Sequence, residues 1–196
     1  RFTIQRFLKQ ALDTGCTHVV LEVRSEGMLQ HRHRFIHYRT AVISSLSPER
    51  IEHHGSFENY RARKEKLFLQ TKDVHVVNAD DEYAKFFIRH PSHHLYTFGV
   101  GNAHLKATKH FRADNIQEEQ SSTSFLVEGV KIRLRLLGSF NVMNALAALC
   151  VAAAEGISVK TAKQGLEAME RVPGRMDPVL QEPFTVLVDY AVTPKA

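Results

Sequence analysis

The chemistry that this sequence suggests centres on a lysine in a place where an apolar side chain is expected. Residues 41–68 predict a short strand, a polar loop and then a helix that Ser56 can cap. At about 100° per residue one face of this helix is apolar, and it comprises Phe57, Tyr60, Leu67 and Phe68. Lys64 falls in the middle of that face, where an unpaired ammonium is costly to bury. Either Lys64 extends its charged end past the core into water, or it has a chemical role.

Two further charged residues occupy positions that suit ligand binding. Glu22 lies near the end of the apolar run HVVLEV at 18–23, which predicts a buried parallel strand. Ligands of α/β proteins bind at the carboxyl ends of such strands, although a glutamate there can equally face solvent. Arg32 lies in the following loop and suits a carboxylate or phosphate through its paired N–H groups, or it is a solvated loop arginine.

A pair of asparagines opens an alanine-rich helix predicted from residue 141 to residue 156. Asn141 and Asn144 lie one turn apart on the same side of its first turn. Carboxamides both donate and accept hydrogen bonds, so this pair could bind the edge of an adenine ring. The alternative is structural, with Asn141 capping the helix and Asn144 packing against its surroundings.

The order of elements predicts an α/β protein with a doubly wound, mainly parallel sheet. Strands are predicted at 18–23, 40–45, 74–78 and 95–99, and an apolar strand is predicted just before Asp189. Helices are predicted at 1–14, 56–68, 80–88, 141–156 and 159–169. Residues 103–137 alternate apolar and polar side chains and predict a small antiparallel β insertion, with a turn at Glu128–Val130.

Composition and charge limit which partners the protein is expected to bind and in which cellular compartment it is expected to lie. The net charge of +5 suits an anionic small-molecule substrate, and the basic stretch at 31–39 has no nucleic-acid-binding module around it. Cys16 and Cys150 lack CxxC spacing, and the apolar run at 145–154 is too short to cross a membrane. We therefore expect a cytoplasmic monomer that binds neither nucleic acid nor membrane. Helical periodicity begins already at Phe2 without a start signal, and the last residues stop just after an apolar strand. We therefore expect that both ends lie inside a longer protein.

Several segments, in order along the chain, resemble the ATP-dependent Mur ligases. The strongest is SLSPERIEHHGSFENYRARKEKLF at 45–68. The others are RSEGMLQHRHRF at 24–35, NADD at 78–81, GSFNVMNALAA at 138–148, VPGR at 172–175 and VDYAVTP at 188–194. The resemblance is closest to the branch that adds the third amino acid to UDP-N-acetylmuramoyl-L-alanyl-D-glutamate.

The resemblance implies roles for the candidate residues. Lys64 matches a catalytic lysine that is carbamylated and helps hold a magnesium ion (Mg2+), and Glu22 matches another ligand of that ion. ATP-binding positions of the family are matched by Asn141, Asn144, Arg175 and Asp189. Positions that contact the UDP-muramoyl peptide are matched by Ser25, Gln30 and Arg32.

The same resemblance implies an activity and a domain plan. ATP would phosphorylate the carboxylate of the muramoyl peptide, and the amine of an amino acid would then attack the acyl phosphate. Residues 1–172 would be the central ATP-binding domain without its upstream P-loop, because GxxxxGK[ST] is missing from this sequence. Residues 173–196 would start the C-terminal domain, and the sequence does not indicate which amino acid is added.

Some positions depart from the family pattern close to these motifs. Arg24 stands where a small hydroxyl residue is expected, Ser45 replaces an asparagine, and Val192 replaces a histidine. Arg50 replaces a histidine associated with the magnesium site, and an arginine has no lone pair with which to bind a metal. The alternative hypothesis is therefore a catalytically weakened homologue that binds nucleotide or a partner protein.

Overall fold

The computed structural model of the protein describes residues 2–47, 55–103, 105–180 and 182–190. Its helices are α1 (Phe2–Asp13), α2 (Ser25–Leu29), α3 (Phe57–Gln70), α4 (Ala84–Ile88), α5 (Phe140–Ala154) and α6 (Val159–Ala168). Its strands are β1 (Thr40–Ile43), β2 (Val74–Asn78), β3 (His94–Gly99), β4 (Lys109–Arg112), β5 (Asp114–Glu119), β6 (Ser122–Val127), β7 (Val130–Leu134), β8 (Asp177–Leu180) and β9 (Val186–Val188).

The main sheet is four-stranded and parallel, in the order β1-β2-β3-β4. Its register places Val42 beside Val76, and Val76 beside Tyr96. The strands predicted at 40–45, 74–78 and 95–99 are therefore confirmed. A parallel sheet needs a crossover between successive strands, and α3 and α4 provide the first two.

Helices cover both faces of this sheet, which confirms the doubly wound architecture. On one face Val76 of β2 is fully buried in a cluster that includes Leu146 of α5. On the other face Val77 is fully buried with Phe68 of α3 and Phe87 of α4. Every residue of β2 is buried, because successive side chains point to opposite faces and both faces are covered.

The antiparallel insertion is confirmed with one correction. Strands β5, β6 and β7 form an antiparallel sheet, and Glu128 and Gly129 make the tight turn between β6 and β7 with φ of 50° and 74°. Strand β4 also lies within 103–137, yet it pairs in parallel with β3. The apolar Phe111 explains this difference, since β4 buries it completely beside Phe98 in the core of the main sheet.

The strand predicted at 18–23 is wrong for the described structure. These residues form no strand, and Val20 is 95% exposed. An apolar run indicates that a segment tends to be buried. A strand also needs an adjacent strand to accept and donate its backbone hydrogen bonds, and no described strand pairs with this run. Helix α1, confirmed within the predicted 1–14, likewise buries none of its residues.

Strand β8 was not predicted, and it pairs in antiparallel fashion with β9, which is the strand expected just before Asp189. Among the described residues, no helix combines the length and apolarity needed to cross a membrane.

His75 is the polar residue at the centre of the fold. Its Nε2 lies 2.9 Å from the carbonyl oxygen of Thr71 and 3.1 Å from that of Phe68. A neutral ring with its proton on Nε2 can donate to both carbonyls, which belong to the end of α3. Burial lowers the pKa of His75 below its ordinary value of 6.5.

This burial predicts a pH-dependent stability. The unfolded chain binds a proton at His75 at higher pH than the folded protein does, so the contribution is fully present above about pH 6.5 and is lost below it. We expect the free energy of unfolding to fall between about pH 7 and pH 5, by at most about 1.4 kcal/mol per pH unit from this one residue.

Urea unfolding at a series of pH values measures that slope, with His75→Gln as the comparison. Glutamine keeps a donor but does not titrate, so the slope of His75→Gln should be shallower. Burial also lowers the pKa of His33, and because His33 titrates in both proteins its effect cancels in the difference. Equal slopes in the two proteins would contradict the assignment.

Candidate functional site

Helix α3 carries the lysine singled out above. The side-chain oxygen of Ser56 accepts a hydrogen bond from the backbone N–H of Asn59 at 3.2 Å, which confirms the predicted cap. Tyr60 and Phe68 are buried, as expected for the apolar face. Lys64 is half-buried on that face, and its Nζ lies 5.5 Å from the centre of the Tyr60 ring, within the range of a cation–π contact.

The residue after Lys64 fixes this helix to its neighbour. Glu65 is buried, and its carboxylate lies 3.0 Å from Nε of Arg61, 2.6 Å from Nη2 of Arg89 and 2.8 Å from Nε2 of His90. Arg61 comes from the same helix, whereas Arg89 and His90 follow α4. Sequence reasoning missed this cluster, although the Arg61–Glu65 spacing of four residues was a readable part of it.

The carboxyl end of β2 is tied to the chain that leaves β1. The side-chain Nδ2 of Asn78 donates to the carbonyl oxygen of Ser44 at 2.8 Å. The carboxylate of Asp81 accepts from the backbone N–H of Leu46 and from that of Tyr83, each at 2.8 Å. Asn78 and Asp81 of the NADD motif therefore use their side chains for hydrogen bonds to the backbone of neighbouring segments.

Asp80 forms a similar clamp towards β3. Its Oδ2 accepts from the backbone N–H of Val100 at 2.6 Å and from that of Gly101 at 3.1 Å. A Cβ atom at Gly99 would lie 2.7 Å from the same oxygen, so the approach requires glycine. The helix predicted from residue 80 consequently begins only at Ala84, because both aspartates are engaged in the turn before it.

Glu22, the predicted metal ligand, lies on the segment that does not form a strand. Its side chain is 84% exposed, and Oε1 lies 3.6 Å from Nε of Arg24. In the part of the chain that the structure describes, no group of three or more His, Cys, Asp or Glu residues could hold a metal ion. The donor set still suits magnesium in kind, since this ion takes one or two carboxylates and retains several waters.

The loop after Glu22 contains the predicted substrate contacts. Ser25 is the buried first residue of α2, while Gln30 and Arg32 are exposed after its end. The backbone N–H of Arg32 donates to the carbonyl oxygen of Gly27 at 2.9 Å, which turns the chain back on itself. Two of the three residues are therefore accessible to a ligand.

The two asparagines of α5 contact each other. Asn141 is buried, and its Nδ2 donates to the carbonyl oxygen of Leu137 at 2.8 Å. Asn144 is exposed, and its Nδ2 donates to Oδ1 of Asn141 at 3.1 Å. Asn141 thus stabilises the turn that starts the helix, and Asn144 is the member of the pair whose carboxamide is open to solvent.

The structure also brings Arg175 and Asp189 together. The Nη1 of Arg175 donates to the carbonyl oxygen of Tyr190 at 3.1 Å, and Oδ1 of Asp189 accepts from the backbone N–H of Met176 at 3.3 Å. A backbone hydrogen bond from Tyr190 to Gly174 joins the same two segments. Arg50 and Val192, which depart from the family pattern, lie outside the described residues.

A cavity of about 820 Å³ that the sequence did not indicate lies between the insertion, α6 and the β8–β9 pair. Arg133 and Arg135 line it. Arg133 pairs with Glu119 at 2.7 Å, and Arg135 pairs with Glu170 at 2.9 Å. Because each guanidinium already has a carboxylate partner, this cavity shows no preference for an anion.

Comparison with known proteins agrees with this geometry. Residues 1–152 match the family described as Mur ligase middle domain. The chain belongs to the Mur ligase family. The Mur ligase fold is also evident in a solved structure of UDP-N-acetylmuramoyl-L-alanyl-D-glutamate–2,6-diaminopimelate ligase, with a TM-score of 0.77 and 27% identity over 98% of this chain and 41% of that one.

Two curated Mur ligases resemble the chain over nearly all of its length. A UDP-N-acetylmuramyl-tripeptide synthetase from a Roseiflexus species is 34% identical over 98% of this chain and 41% of its own length. A UDP-N-acetylmuramoyl-L-alanyl-D-glutamate–2,6-diaminopimelate ligase from Halalkalibacterium halodurans is 32% identical over 97% of this chain and 40% of its own. The chain thus spans about two fifths of the length of these relatives.

The clamp around Asp80 makes a prediction about two glycines. In Gly99→Ala the new methyl group forces the Asp80 carboxylate to retreat from the N–H groups it accepts, and we expect a loss of about 1–3 kcal/mol in the free energy of unfolding. Gly165→Ala is the matched control, because its added Cβ meets nothing within 4 Å and lies in α6, where alanine is favoured. Urea unfolding measures both, and equal stability of the two variants would contradict the clamp.

Proposed function

We propose that this chain forms the central part of an ATP-dependent ligase that adds the third amino acid to UDP-N-acetylmuramoyl-L-alanyl-D-glutamate. The single observation that carries the proposal is Lys64, half-buried on the apolar face of α3 in a chain that belongs to the Mur ligase family. In this proposal residues 1–172 are the central domain, and residues 173–196 begin the domain that follows.

The proposed role of Lys64 is that of the carbamylated lysine which it matches in the resemblance to the Mur ligases. Partial burial favours the neutral amine of a lysine, and a neutral amine can attack carbon dioxide. A nitrogen–carbon bond then forms, one proton is released, and the product is a carbamate anion with two oxygens. Together with Glu22, this carbamate would hold a magnesium ion, which supplies charge neutralisation to the phosphates during transfer.

The remaining candidate residues would position the substrates. Asn144, Arg175 and Asp189 would bind ATP, with Asn141 holding the helix start from which Asn144 projects. Gln30 and Arg32 are exposed and would contact the UDP-muramoyl peptide, and Ser25 would support the loop that carries them. ATP and the UDP-muramoyl peptide are both large anionic ligands, and the net charge of +5 suits them.

The proposed reaction has two steps. The carboxylate of the muramoyl peptide attacks the terminal phosphorus of ATP, a phosphorus–oxygen bond forms, and ADP leaves. The amine of the incoming amino acid then attacks the acyl carbon, the carbon–oxygen bond to phosphate breaks, the nitrogen loses a proton, and an amide remains. The chain's own residues bind, orient and exclude water in both steps, since phosphoryl transfer depends mainly on positioning and electrostatics.

A second candidate function is a weakened homologue that binds nucleotide without efficient turnover. The observation in its favour is the approach of Arg24 to Glu22, since a guanidinium 3.6 Å from this carboxylate competes with a metal for it. Measurement of ATP binding and of amide formation on the same preparation separates the two. Binding of ATP with no amide product would favour this second candidate.

Lys64→Arg in the full protein tests the leading proposal, because arginine keeps the positive charge but does not form a carbamate. We expect turnover with ATP, magnesium and the muramoyl dipeptide to fall by about 10²-fold or more, the usual loss when a group that stabilises transferred charge is removed. Lys66→Arg is the matched control on the exposed side of the same helix, and its turnover should stay within about twofold.

A second readout on these variants does not depend on activity. In bicarbonate labelled with carbon-13, the protein without substitutions should show a carbamate carbon resonance. Lys64→Arg should lack this resonance, and Lys66→Arg should retain it. A resonance that survives in Lys64→Arg would place the carbamate elsewhere, and unchanged turnover in Lys64→Arg would remove the lysine from the reaction.

A further inference from the structure

The segment that leaves β1 is held in place by residues that have no assigned role. After Ile43 the chain continues through Ser44 and Ser45, which are exposed, to Leu46, which is 4% exposed. This segment lies at the carboxyl end of the parallel sheet, the edge at which α/β proteins bind their ligands. Its continuation leads, through residues 48–54, to the capped start of α3.

Two side chains at the end of β2 determine where the backbone of this segment lies. Asn78 donates to the carbonyl oxygen of Ser44, and Asp81 accepts from the N–H of Leu46, both at 2.8 Å. Each of these side chains is also fixed by a second bond, since Asn78 accepts from the N–H of Asp80 at 3.0 Å and Asp81 accepts from that of Tyr83. The two contacts therefore act as rigid points of attachment.

The side chain of Leu46 provides a third point of attachment. It is buried in the cluster that also contains Tyr60 and Phe68 of α3. A shift of the Ser44–Leu46 backbone would thus disturb the packing of the helix that carries Lys64. The segment and the helix are linked by contacts within one core, not only by the chain between them.

We propose that Asn78 and Asp81 are positioning residues of the ligase site, acting through the Ser44–Leu46 segment on the start of α3 and on Lys64. This inference rests on the proposed function for its catalytic consequence. The underlying contacts are hydrogen bonds between residues 34 and 35 positions apart in the chain. Neither residue touches the reacting groups in this account.

The chain offers a matched control. Asp80 lies next to Asp81 and is also a carboxylate that accepts backbone N–H groups, but it holds Val100 and Gly101 beyond β3. Asp81→Asn places an NH2 group or a weaker acceptor opposite the N–H of Leu46. Asp80→Asn makes the same chemical change without touching the Ser44–Leu46 segment.

Asn78→Asp is the second test variant. It replaces the donor to the carbonyl oxygen of Ser44 with a carboxylate oxygen, while the acceptor for Asp80 remains. The variant therefore places a carboxylate oxygen against the carbonyl oxygen of Ser44, so this one hydrogen bond is lost and the two oxygens repel each other. If Asp81→Asn fails to fold, Asn78→Asp still tests the same segment.

Backbone hydrogen exchange tests the attachment independently of activity. In the full protein we expect the Leu46 amide to be protected, and Asp81→Asn to reduce that protection by about tenfold or more, as for the loss of one charge-assisted bond. Asp80→Asn should instead raise exchange at Val100 and Gly101 and leave Leu46 unchanged. Exchange at Leu46 that is equal in the two variants would overturn the proposal.

Steady-state kinetics test the consequence for catalysis. For Asp81→Asn and Asn78→Asp we expect kcat to fall by about tenfold to 10²-fold with the KM for ATP within about twofold, because a small displacement at the reacting centre is costly. Asp80→Asn should keep kcat within about threefold of the value for the protein without substitutions, although its loss of stability is comparable to that of Asp81→Asn. A normal kcat in Asp81→Asn despite faster Leu46 exchange would overturn the positioning role.

The two experiments separate this inference from the proposed function. If the unmodified protein forms no amide, the proposed function fails, and exchange at Leu46 together with the carbamate resonance of Lys64 then decides the inference. A resonance that weakens or shifts in Asp81→Asn but not in Asp80→Asn supports positioning of Lys64, and an identical resonance in both overturns it.

Discussion

Burial of strand β2 on both faces is the constraint on which the rest of the structure depends. All five of its residues are buried, so each face needs its own layer of helices and each polar side chain needs a partner inside the protein. His75 meets this requirement by bonding the carbonyls at the end of α3, while its burial lowers the pKa of the ring and so favours the neutral form. The strand that organises the core therefore also fixes the end of the helix that carries Lys64.

The same constraint decides what the polar residues at the end of β2 can do. Where the strand emerges from the core, three of four successive residues are polar, and all three form hydrogen bonds with backbone groups. Asn78 and Asp81 hold the chain after β1, and Asp80 holds the chain after β3. The carboxylates of Asp80 and Asp81 are thus engaged with backbone N–H groups. These contacts define the positions of the chain after β1 and of the chain after β3.

The sequence predicted the parts of the fold that depend on local pattern. The strands at 74–78 and 95–99 and the apolar face of α3 follow from runs and periodicity, and the family from motifs in a fixed order. The strand at 18–23 was wrong, because an apolar run does not reveal whether a partner strand exists. The role of Asp80 could not be read from the sequence either, since it depends on hydrogen bonds to residues 20 and 21 positions away. Long-range contacts of this kind are fixed only once the sheet has formed.

Adjacent residues of α3 have very different surroundings. Glu65 is buried among Arg61, Arg89 and His90, so its charge is balanced and its position is fixed. Lys64 is half-buried, and its Nζ lies 5.5 Å from the centre of the Tyr60 ring. The ion pairs of Glu65 hold helix α3 in one orientation. Because Lys64 is the preceding residue of the same helix, this orientation also determines where Lys64 lies. Lys64 is thus placed by a helix whose buried ion pairs lie one residue away.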